Sequence, residues 1–274
     1  MTSLLAEKEW RVIPEEETRS GPMQMALEEV AAETARNGGP RTVRVYRWKP
    51  STLSLGYRQA AETVDWEFCD QQSIDVTRRP TGGGGIYHDT IGDISYSIIA
   101  PSKELPQDVM ESYHLLCQPV LEAFNKMNIA ADFAEREYPA IHEPACYLRG
   151  VNPAHDIVVD GQKISGNAQN RQQETVIQHG SISYKLTPET QLGCFANPET
   201  NAKTYRDRVT SINEQVGLTR KNAVRTLKET LTAWTDASQG EWSNEEIAKA
   251  KELAEAKYRS DAWVKDRSDP TETS

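Results

Sequence analysis

Four consecutive glycines follow a short segment of strand-forming residues, and this loop constrains the fold of the chain more than any other feature. The segment, residues 74–79, ends in Arg78 and Arg79, and after Pro80 and Thr81 come Gly82, Gly83, Gly84 and Gly85. Glycine tolerates positive φ and lets a ligand approach the backbone, so successive N–H groups can face an anion. The loop lacks both the Gly-Lys-Ser/Thr ending of a P-loop and the spacing of a dinucleotide fingerprint. It predicts a ligand-binding loop preceded by two phosphate-matching guanidinium groups, the alternative being a flexible turn.

The charge and composition of the chain exclude several classes of protein. The 274 residues carry a formal net charge of −10, which argues against a nucleic-acid binder held by phosphate attraction. No stretch approaches the ~20 apolar residues of a membrane span, and the N-terminus lacks the apolar run of a secretory signal. The cysteines form no Cys-x-x-Cys pair, which disfavours a zinc site or a disulfide framework. We expect a cytoplasmic protein that binds neither nucleic acid nor membrane and has no protein-bound metal site.

The hydrophobic pattern predicts an α+β fold in which helices flank a mixed β-sheet. The sequence predicts helices at 20–37, 64–71 and 107–127 and in the chain beyond residue 218. Alternating apolar residues predict strands at 42–48, 51–56, 74–79, 94–99, 156–159, 162–165 and 175–184. Because these elements do not alternate as strand–helix–strand units, we expect a mixed sheet and not a parallel array.

The hydrophobic pattern also divides the chain into three segments. Residues 1–218 are predicted to form the main α+β domain. Residues 219–265 are predicted to be a small helical segment of that domain, with a capping box that begins at Ser243. Residues 266–274 are polar and contain Pro270, so we predict a disordered tail.

Two histidines lie near glycines on predicted strands. His88 follows the glycine loop, and Asp89 is its predicted orienting partner. His179 precedes Gly180 on the strand predicted at 175–184. A histidine on a strand is often structural, so a structural and a functional interpretation of each stay open.

Lys163 lies on the second strand of a hairpin that turns at Asp160-Gly161. By alternation its side chain points away from that of Ile164. If Ile164 packs in the core, Lys163 is either exposed to solvent or, where a ligand covers that face, a cation directed at a phosphate or carbonyl. The small residues that follow would admit such a ligand: Gly166, Asn167 and Ala168.

Cys146 lies in a proline-rich loop upstream of this hairpin. A loop cysteine at this place is either a nucleophile or a small packed residue. The neighbouring sequence does not identify a base that would activate it. Cys69 and Cys117 fall among apolar residues of predicted helices and are expected in the core, and Cys194 is expected to be structural.

Together these motifs resemble the two signatures of the lipoate–protein ligase family. The first covers residues 78–89, Arg-Arg-Pro-Thr-Gly-Gly-Gly-Gly-Ile-Tyr-His-Asp, and continues as Gly-Asp-Ile-Ser-Tyr-Ser at 92–97. The second covers residues 161–169, Gly-Gln-Lys-Ile-Ser-Gly-Asn-Ala-Gln, followed by Gln-His-Gly-Ser at 178–181. The resemblance extends over about residues 20–260.

The resemblance implies a fold shared with biotin–protein ligases and octanoyltransferases, and a reaction in two steps. Lipoate and ATP, with Mg²⁺ accompanying the phosphates, would form lipoyl-adenylate, and a lysine of an acceptor protein would then attack the acyl carbonyl. Arg79 and Lys163 would stabilise the phosphate and the developing oxyanion. The ligand would lie against the four glycines and against Tyr87, His88, Gly166, Asn167, Ala168 and His179.

The resemblance also implies partners. The expected acceptors are lipoyl domains of 2-oxoacid dehydrogenase complexes or the glycine-cleavage H protein. The 274 residues leave no room for the C-terminal accessory domain of many ligases. Archaeal ligases have a similarly short catalytic chain that works with a separate accessory protein, so an accessory subunit is a further expected partner.

Cysteine-dependent octanoyltransferases are the alternative within the same superfamily. They take octanoyl from acyl carrier protein through a thioester, without ATP, and carry a cysteine before the lysine motif, as Cys146 stands before Lys163. Their first motif usually has an arginine after two glycines, where this chain has Gly84. On this ground the sequence favours the ligase. A third hypothesis is a non-catalytic acyl- or biotin-binding protein on the same fold.

Overall fold

The computed structural model describes residues 8–151 and 155–272. Residues 1–7, on which the predicted absence of a secretory signal depends, lie outside the described residues, as do the last two residues of the predicted tail. The described strands, in chain order, are β1 (Trp10–Val12), β2 (Glu17–Arg19), β3 (Arg41–Trp48), β4 (Thr52–Leu55), β5 (Asp75–Arg78), β6 (Ile86–His88), β7 (Asp93–Pro101), β8 (Asp132–Phe133), β9 (Asp156–Val159), β10 (Gln162–Gln172), β11 (Thr175–Ser183) and β12 (Ser238–Gln239).

Two mixed sheets are built from these strands. The larger has the spatial order β12-β1-β3-β7-β11-β10-β9-β8, and β2 pairs with β3 beside this path. From β3 to β8 the neighbours are antiparallel, whereas β1 runs parallel to both β3 and β12. In the smaller sheet β4 lies between β5, which is parallel to it, and β6, which is antiparallel. The predicted α+β fold with a mixed sheet is confirmed.

The helices pack on both faces of the larger sheet. They are α1 (Gly21–Arg36), α2 (Trp66–Gln71), α3 (Val109–Lys126), α4 (Pro188–Gly193), α5 (Ala202–Arg208), α6 (Ile212–Val216), α7 (Arg220–Thr235), α8 (Asn244–Leu253) and α9 (Asp261–Val264). Short 3-10 turns lie at Ala61–Thr63, Ser102–Glu104 and Cys146–Leu148, and a π-helical turn lies at Ala254–Tyr258. None of the helices among the described residues has the length and apolar character needed to cross a lipid bilayer.

The alternation of β3 separates two hydrophobic clusters. Val43 and Val45 pack on one face with residues of α3 and α7 such as Phe124 and Leu231. Residues of the opposite face, among them Trp48, join the cluster formed with α1, the smaller sheet and the C-terminal helices. Successive strand side chains point to opposite faces, so a single strand supplies both clusters.

Side-chain capping marks the first turn of α8 but not that of α1. At α8 the side chain of Ser243 accepts from the N–H of Glu246, whose carboxylate accepts from the N–H of Ser243, so the predicted capping box is confirmed. At α1 the side chain of Ser20 makes no capping hydrogen bond, and the helix begins with a proline in its first turn. The fixed φ of that proline suits the first turn of a helix.

Arg78 connects the smaller sheet to the C-terminal helices. Its guanidinium is fully buried and donates to the backbone carbonyls of Trp263 and Val264, and on its other side to those of Gly56, Tyr57 and Gln59. The indole of Trp263 donates in turn to the carbonyl of Arg78 at 2.8 Å. The prediction that Arg78 offers its charge to a phosphate is therefore wrong, because backbone oxygens already accept its hydrogens.

The described part of the predicted tail lies against this C-terminal region. The carboxylate of Asp269 is 2.6 Å from Nζ of Lys257, which also pairs with Glu29 of α1 at 3.0 Å. The division of the chain at residue 218 and the disorder of the whole tail stay predictions.

Candidate active site

A cavity of about 450 Å³ opens between the two sheets, and the predicted site residues converge on it. Such a volume lies within the range of small-ligand sites. Its walls come from the glycine loop, from the loop that carries Cys146 and from strands β3, β10 and β11 of the larger sheet. Of the predicted residues, those that line it are Arg79, Gly82, Gly83, His88, Cys146, Lys163, Gly166, Asn167, Ala168 and His179.

Arg79 holds the glycine loop in shape. Its side chain is buried, and each of its guanidinium nitrogens donates to a protein oxygen: Nη1 to Ser54 O at 2.7 Å, Nη2 to the carbonyls of Gly82 and Gly84 at 2.7 Å each, and Nε to Thr81 Oγ1 at 3.0 Å. Gly83, at the centre of this clamp, has φ +94°, a conformation that favours glycine. Arg79 borders the cavity, but its hydrogens are directed at oxygens of the glycine loop and of β4.

The cysteine loop is bound edge to edge to the glycine loop. The N–H of Gly85 donates to Pro144 O at 2.7 Å, and the N–H of Cys146 donates to Gly85 O at 2.9 Å. A Cβ on Gly84 would lie 2.7 Å from Pro144 O and 2.9 Å from Cδ of Arg149. Glycine at position 84 therefore permits this close approach. Gly84 and Gly85 serve the junction of the two loops and do not line the cavity.

Lys163 is buried in the cavity wall beside the thiol. Its side chain is 3% exposed, and its Nζ lies 2.8 Å from Asp156 Oδ1, 3.1 Å from the carbonyl oxygen of Cys146 and 4.0 Å from Cys146 Sγ. Of the two possibilities for Lys163, the structure therefore excludes solvent exposure.

The charges around Lys163 keep it protonated. Burial alone would lower the pKa of Lys163, but the side chains of Cys146 and Asp156 outweigh burial and raise it. Burial would raise the pKa of Asp156, and the opposing charge of Lys163 instead holds that pKa well below its usual range. The pair is thus an ammonium and a carboxylate at neutral pH.

A β-bulge in β10 places Lys163 at this position. The strand pairs Lys163 with Val158, then shifts register so that Ser165 pairs with Ile157 and Gly166 with Asp156. The shift puts Lys163 and Gly166 side by side, since a Cβ on Gly166 would lie 3.6 Å from Nζ of Lys163. The predicted strand at 162–165 is too short, because β10 continues along β11 to Gln172.

His88 is held in the cavity floor as a buried ring. Its Nε2 lies 2.9 Å from Ser54 Oγ and its Nδ1 lies 3.3 Å from Asp93 Oδ2, while the ring stacks on Trp48 with centroids 4.1 Å apart. Burial lowers the pKa of His88. The prediction that Asp89 orients it is wrong: Asp89 Oδ1 instead accepts from the backbone N–H groups of Ile91 and Gly92 in the turn.

His179 belongs to a second buried polar network. Its Nε2 lies 2.8 Å from Thr81 Oγ1 in the glycine loop, and its Nδ1 lies 2.9 Å from Glu28 Oε2 in α1. Glu28 also accepts from Tyr46 and lies 3.4 Å from Arg44. Burial by itself would raise the pKa of Glu28, but His179 and Arg44 lower it to about 2. His179 therefore connects the glycine loop to the core.

Of the remaining predicted residues, Asn167 lines the cavity and Tyr87 does not. Asn167 faces the cavity with its amide fixed, since Oδ1 accepts from Tyr96 at 2.6 Å and Nδ2 donates to His155 O at 2.8 Å. Tyr87 does not line this cavity, and its hydroxyl is 3.5 Å from Asp89 Oδ2. Among the described residues no cluster of three or more His, Cys, Asp or Glu side chains could hold a metal ion.

The cavity wall also contains charged and polar residues that sequence reasoning missed, among them Asp156, Arg149 and Tyr113. Asp156 opens the first hairpin strand two residues before Val158, the pairing partner of Lys163, so alternation places its carboxylate on the same face as the lysine, a signal that could have been used. Arg149 and Tyr113 come from a loop and a helix whose position depends on tertiary packing.

Comparison with known proteins agrees with this architecture. Structures of similar fold include a lipoate–protein ligase A bound with ATP, with a TM-score of 0.77 at 22% identity over 93% of this chain and 98% of that one. Another is the bipartite lipoate–protein ligase of Thermoplasma acidophilum, described with its E2 lipoyl domain, with a TM-score of 0.76 at 22% identity over 94% of this chain and 96% of that one. At these identities the likeness shows the fold.

Fold and site together define an enzyme of the lipoyl ligase and transferase class. The family model described as the lipoyl protein ligase A/B catalytic domain matches residues 20–234, and the chain belongs to this family. Similar sequences include the octanoyltransferase LipM of Anoxybacillus flavithermus, 32% identical over 94% of this chain and 98% of that protein. That of Geobacillus kaustophilus is 34% identical over 87% of this chain and 92% of that protein.

Proposed function

We propose that this chain is a cysteine-dependent octanoyltransferase that moves an octanoyl group from acyl carrier protein to a lysine of a lipoyl domain. The observation that carries the proposal is the thiol of Cys146, which lines the cavity 4.0 Å from the ammonium of Lys163. A cation at that distance attracts a thiolate, the nucleophilic form of cysteine. The relatives named octanoyltransferase LipM support the same choice.

The reaction consists of two acyl transfers. The Cys146 sulfur attacks the thioester carbonyl of the donor, a new C–S bond forms, and the carrier thiol leaves with the proton lost by Cys146. The amine of the acceptor lysine then attacks the acyl-cysteine, the amide C–N bond forms, the C–S bond to Cys146 breaks, and the thiol is restored with a proton from the amine. The ammonium of Lys163 lies where it can stabilise the oxyanion of both steps.

The cavity offers suitable surface to a short acyl chain. Met25, Trp48 and Ile86 contribute apolar side chains to its wall. The two glycines that line it, Gly82 and Gly83, present no side chain that would obstruct the ligand.

The ATP-dependent lipoate ligase, with ATP, lipoate and Mg²⁺, is the competing proposal and the function that the sequence favoured. Two features weaken it. The guanidinium nitrogens of Arg79 and Arg78, its expected phosphate ligands, already donate to protein oxygens. In addition, Arg149 lies beside Gly84 and lines the cavity, so a guanidinium is present near the position where octanoyltransferases usually carry an arginine.

Mass measurement of an acceptor lipoyl domain discriminates between the two proposals. The domain is incubated with the enzyme and either octanoyl acyl carrier protein without ATP, or ATP, Mg²⁺ and free lipoate. We expect octanoylation in the first mixture, abolished by Cys146→Ser. Lipoylation in the second mixture only, unaffected by Cys146→Ser, would overturn the proposal and favour the ligase.

A further inference from the structure

We propose that Asp156 protects the acyl-loaded enzyme from acylating itself on Lys163. This inference rests on the proposed acyl-cysteine intermediate, and it gives Asp156 a positioning role that acts through Lys163. It follows from the arrangement of a buried amine between a carboxylate and the thiol that carries the acyl group.

The geometry places the amine of Lys163 close to the thioester. Nζ lies 4.0 Å from Cys146 Sγ, and the carbonyl carbon of an acyl group on this sulfur is one bond further on. An intramolecular nucleophile at such a distance has a very large effective concentration. A neutral amine at this place would compete with the acceptor lysine, which has to arrive from solution.

The competing step is a transfer from sulfur to nitrogen. The lone pair of Nζ would attack the thioester carbon, an amide C–N bond would form, the C–S bond would break, and a proton of the amine would pass to the departing thiolate. No further reactant is needed. The product would be an amide on Lys163, which cannot pass its acyl group to an acceptor, so the enzyme would be inactivated.

The carboxylate of Asp156 opposes this step by retaining the proton on Nζ. The Asp156 side chain is 2% exposed and lies 2.8 Å from Nζ, and an ammonium has no lone pair with which to attack. Arg149 acts in the opposite sense, because its positive charge lowers the pKa of Lys163. The titratable groups that face this pair from neighbouring elements are Cys146, Tyr147, Arg149, His155, Tyr113 and Arg208.

Replacing Asp156 by asparagine therefore has a specific chemical consequence. In Asp156→Asn the carboxylate charge is lost while the shape is retained, and the positive charge of Arg149 is less opposed. The proton on Nζ is then held less strongly, and the amide on Lys163 forms at a lower pH than in the wild type.

The test uses the full-length chain loaded with octanoyl acyl carrier protein in the absence of acceptor. Hydroxylamine cleaves a thioester but not an amide, so intact mass before and after hydroxylamine, followed by peptide mapping, counts the two adducts. Asp160→Asn, the same exchange at an exposed position of the adjoining turn, is the matched control. Asp156→Asn/Lys163→Arg removes the amine.

We expect hydroxylamine-labile adduct alone in the wild type and in Asp160→Asn at neutral pH. Asp156→Asn should accumulate a resistant octanoyl amide on Lys163, at least about tenfold above the wild type, which the double variant lacks. A wild-type series at rising pH should give the same amide as Lys163 loses its proton, and this measurement does not depend on the folding of a variant.

Two results would contradict the inference, and they are distinguishable. If the wild type carries the labile adduct on Cys146 but neither Asp156→Asn nor alkaline pH yields an amide on Lys163, the protective role of Asp156 is wrong and the proposed function stands. If the wild type forms no labile adduct on Cys146, the proposed function fails, and the inference fails with it.

Discussion

The backbone N–H of Cys146 donates to the carbonyl oxygen of Gly85 at 2.9 Å, so the loop that carries the thiol is bound to the end of the glycine loop. Since Arg79 clamps the other part of that loop through the carbonyls of Gly82 and Gly84, the position of the thiol depends on both loops. Neither loop alone fixes the distance from the sulfur to Lys163.

This relationship predicts that Gly84→Ala impairs catalysis. Its Cβ would lie 2.7 Å from Pro144 O and 3.0 Å from Cys146 N, and relieving these contacts must move the thiol. We expect kcat/KM for octanoyl transfer to fall on the order of 100-fold, with a loss of about 1–3 kcal/mol in the free energy of unfolding. Gly82→Ala is the stability control, because a Cβ there meets no atom within 4 Å. Equal melting temperatures for the two variants would contradict the prediction.

The charge of Lys163 gives a second prediction. Lys163→Met removes the cation beside the thiol, and we expect kcat/KM to fall about 100- to 1,000-fold, whereas Lys163→Arg should recover part of the loss. The raised pKa of Lys163 means that it stays charged through the neutral range, so its titration should not limit the neutral branch of the pH–rate profile. Wild-type rates in Lys163→Met would exclude the role assigned to the ammonium.

The lowered pKa of Glu28 predicts that the stability of the fold depends on pH. Burial opposes its ionisation, but His179 and Arg44 lower its pKa from 4.5 to about 2. A carboxyl with a depressed folded-state pKa stabilises the fold above its unfolded pKa, and this contribution is lost as the pH falls from 4.5 towards 2. The lost contribution is on the order of 3 kcal/mol.

Glu28→Gln removes this titration. We expect the variant to be less stable than the wild type at pH 7 by about 3 kcal/mol or more, because the charge of Arg44 is left buried without the opposing carboxylate, and to lose less stability over the acid range. Glu33→Gln, further along α1 at a partly exposed ion pair, should change stability by less than about 1 kcal/mol. Parallel acid profiles for wild type and Glu28→Gln in urea unfolding would count against this account.

The contacts of Arg78 predict a structural role for the C-terminal helices. Arg78→Met would leave the carbonyls of Trp263, Val264 and Gly56 without their donor, and we expect a loss of at least about 3 kcal/mol in the free energy of unfolding. Removal of residues 261–274 should have a similar effect. Thermal melts of both variants measure it, and unchanged melting temperatures would be incompatible with the role given to Arg78.

Sequence patterns identified most of the longer elements and ten residues of the cavity wall. The glycine loop and the lysine hairpin could be placed because glycine content and strand alternation are local properties. Strand alternation correctly predicted that the side chains of Lys163 and Ile164 point in opposite directions, since Ile164 is fully buried in the core and Lys163 lines the cavity. The bulge after Lys163 was not predictable, because it depends on pairing with β9 and β11 at the same time.

The roles of charged residues were harder to predict than their positions. Arg78 and Arg79 were expected to meet a phosphate, yet Arg78 donates to backbone carbonyls, two of which lie 185 and 186 positions away along the chain. His88 was assigned to Asp89 by adjacency, whereas the turn directs Asp89 to the backbone and brings Asp93 to the imidazole. Hydrogen-bond partners follow from tertiary structure, which local patterns do not contain.

The central claim is that Cys146 carries the acyl group, and trapping the intermediate tests it most directly. Wild type and Cys146→Ala are mixed with octanoyl acyl carrier protein, without ATP or acceptor, and analysed by intact mass and peptide mapping. The account predicts one hydroxylamine-labile octanoyl group on Cys146 in the wild type, none in Cys146→Ala, and at least about a 1,000-fold loss of transfer in the variant. An unmodified wild type, together with a Cys146→Ala variant that modifies a lipoyl domain at the wild-type rate, would contradict it.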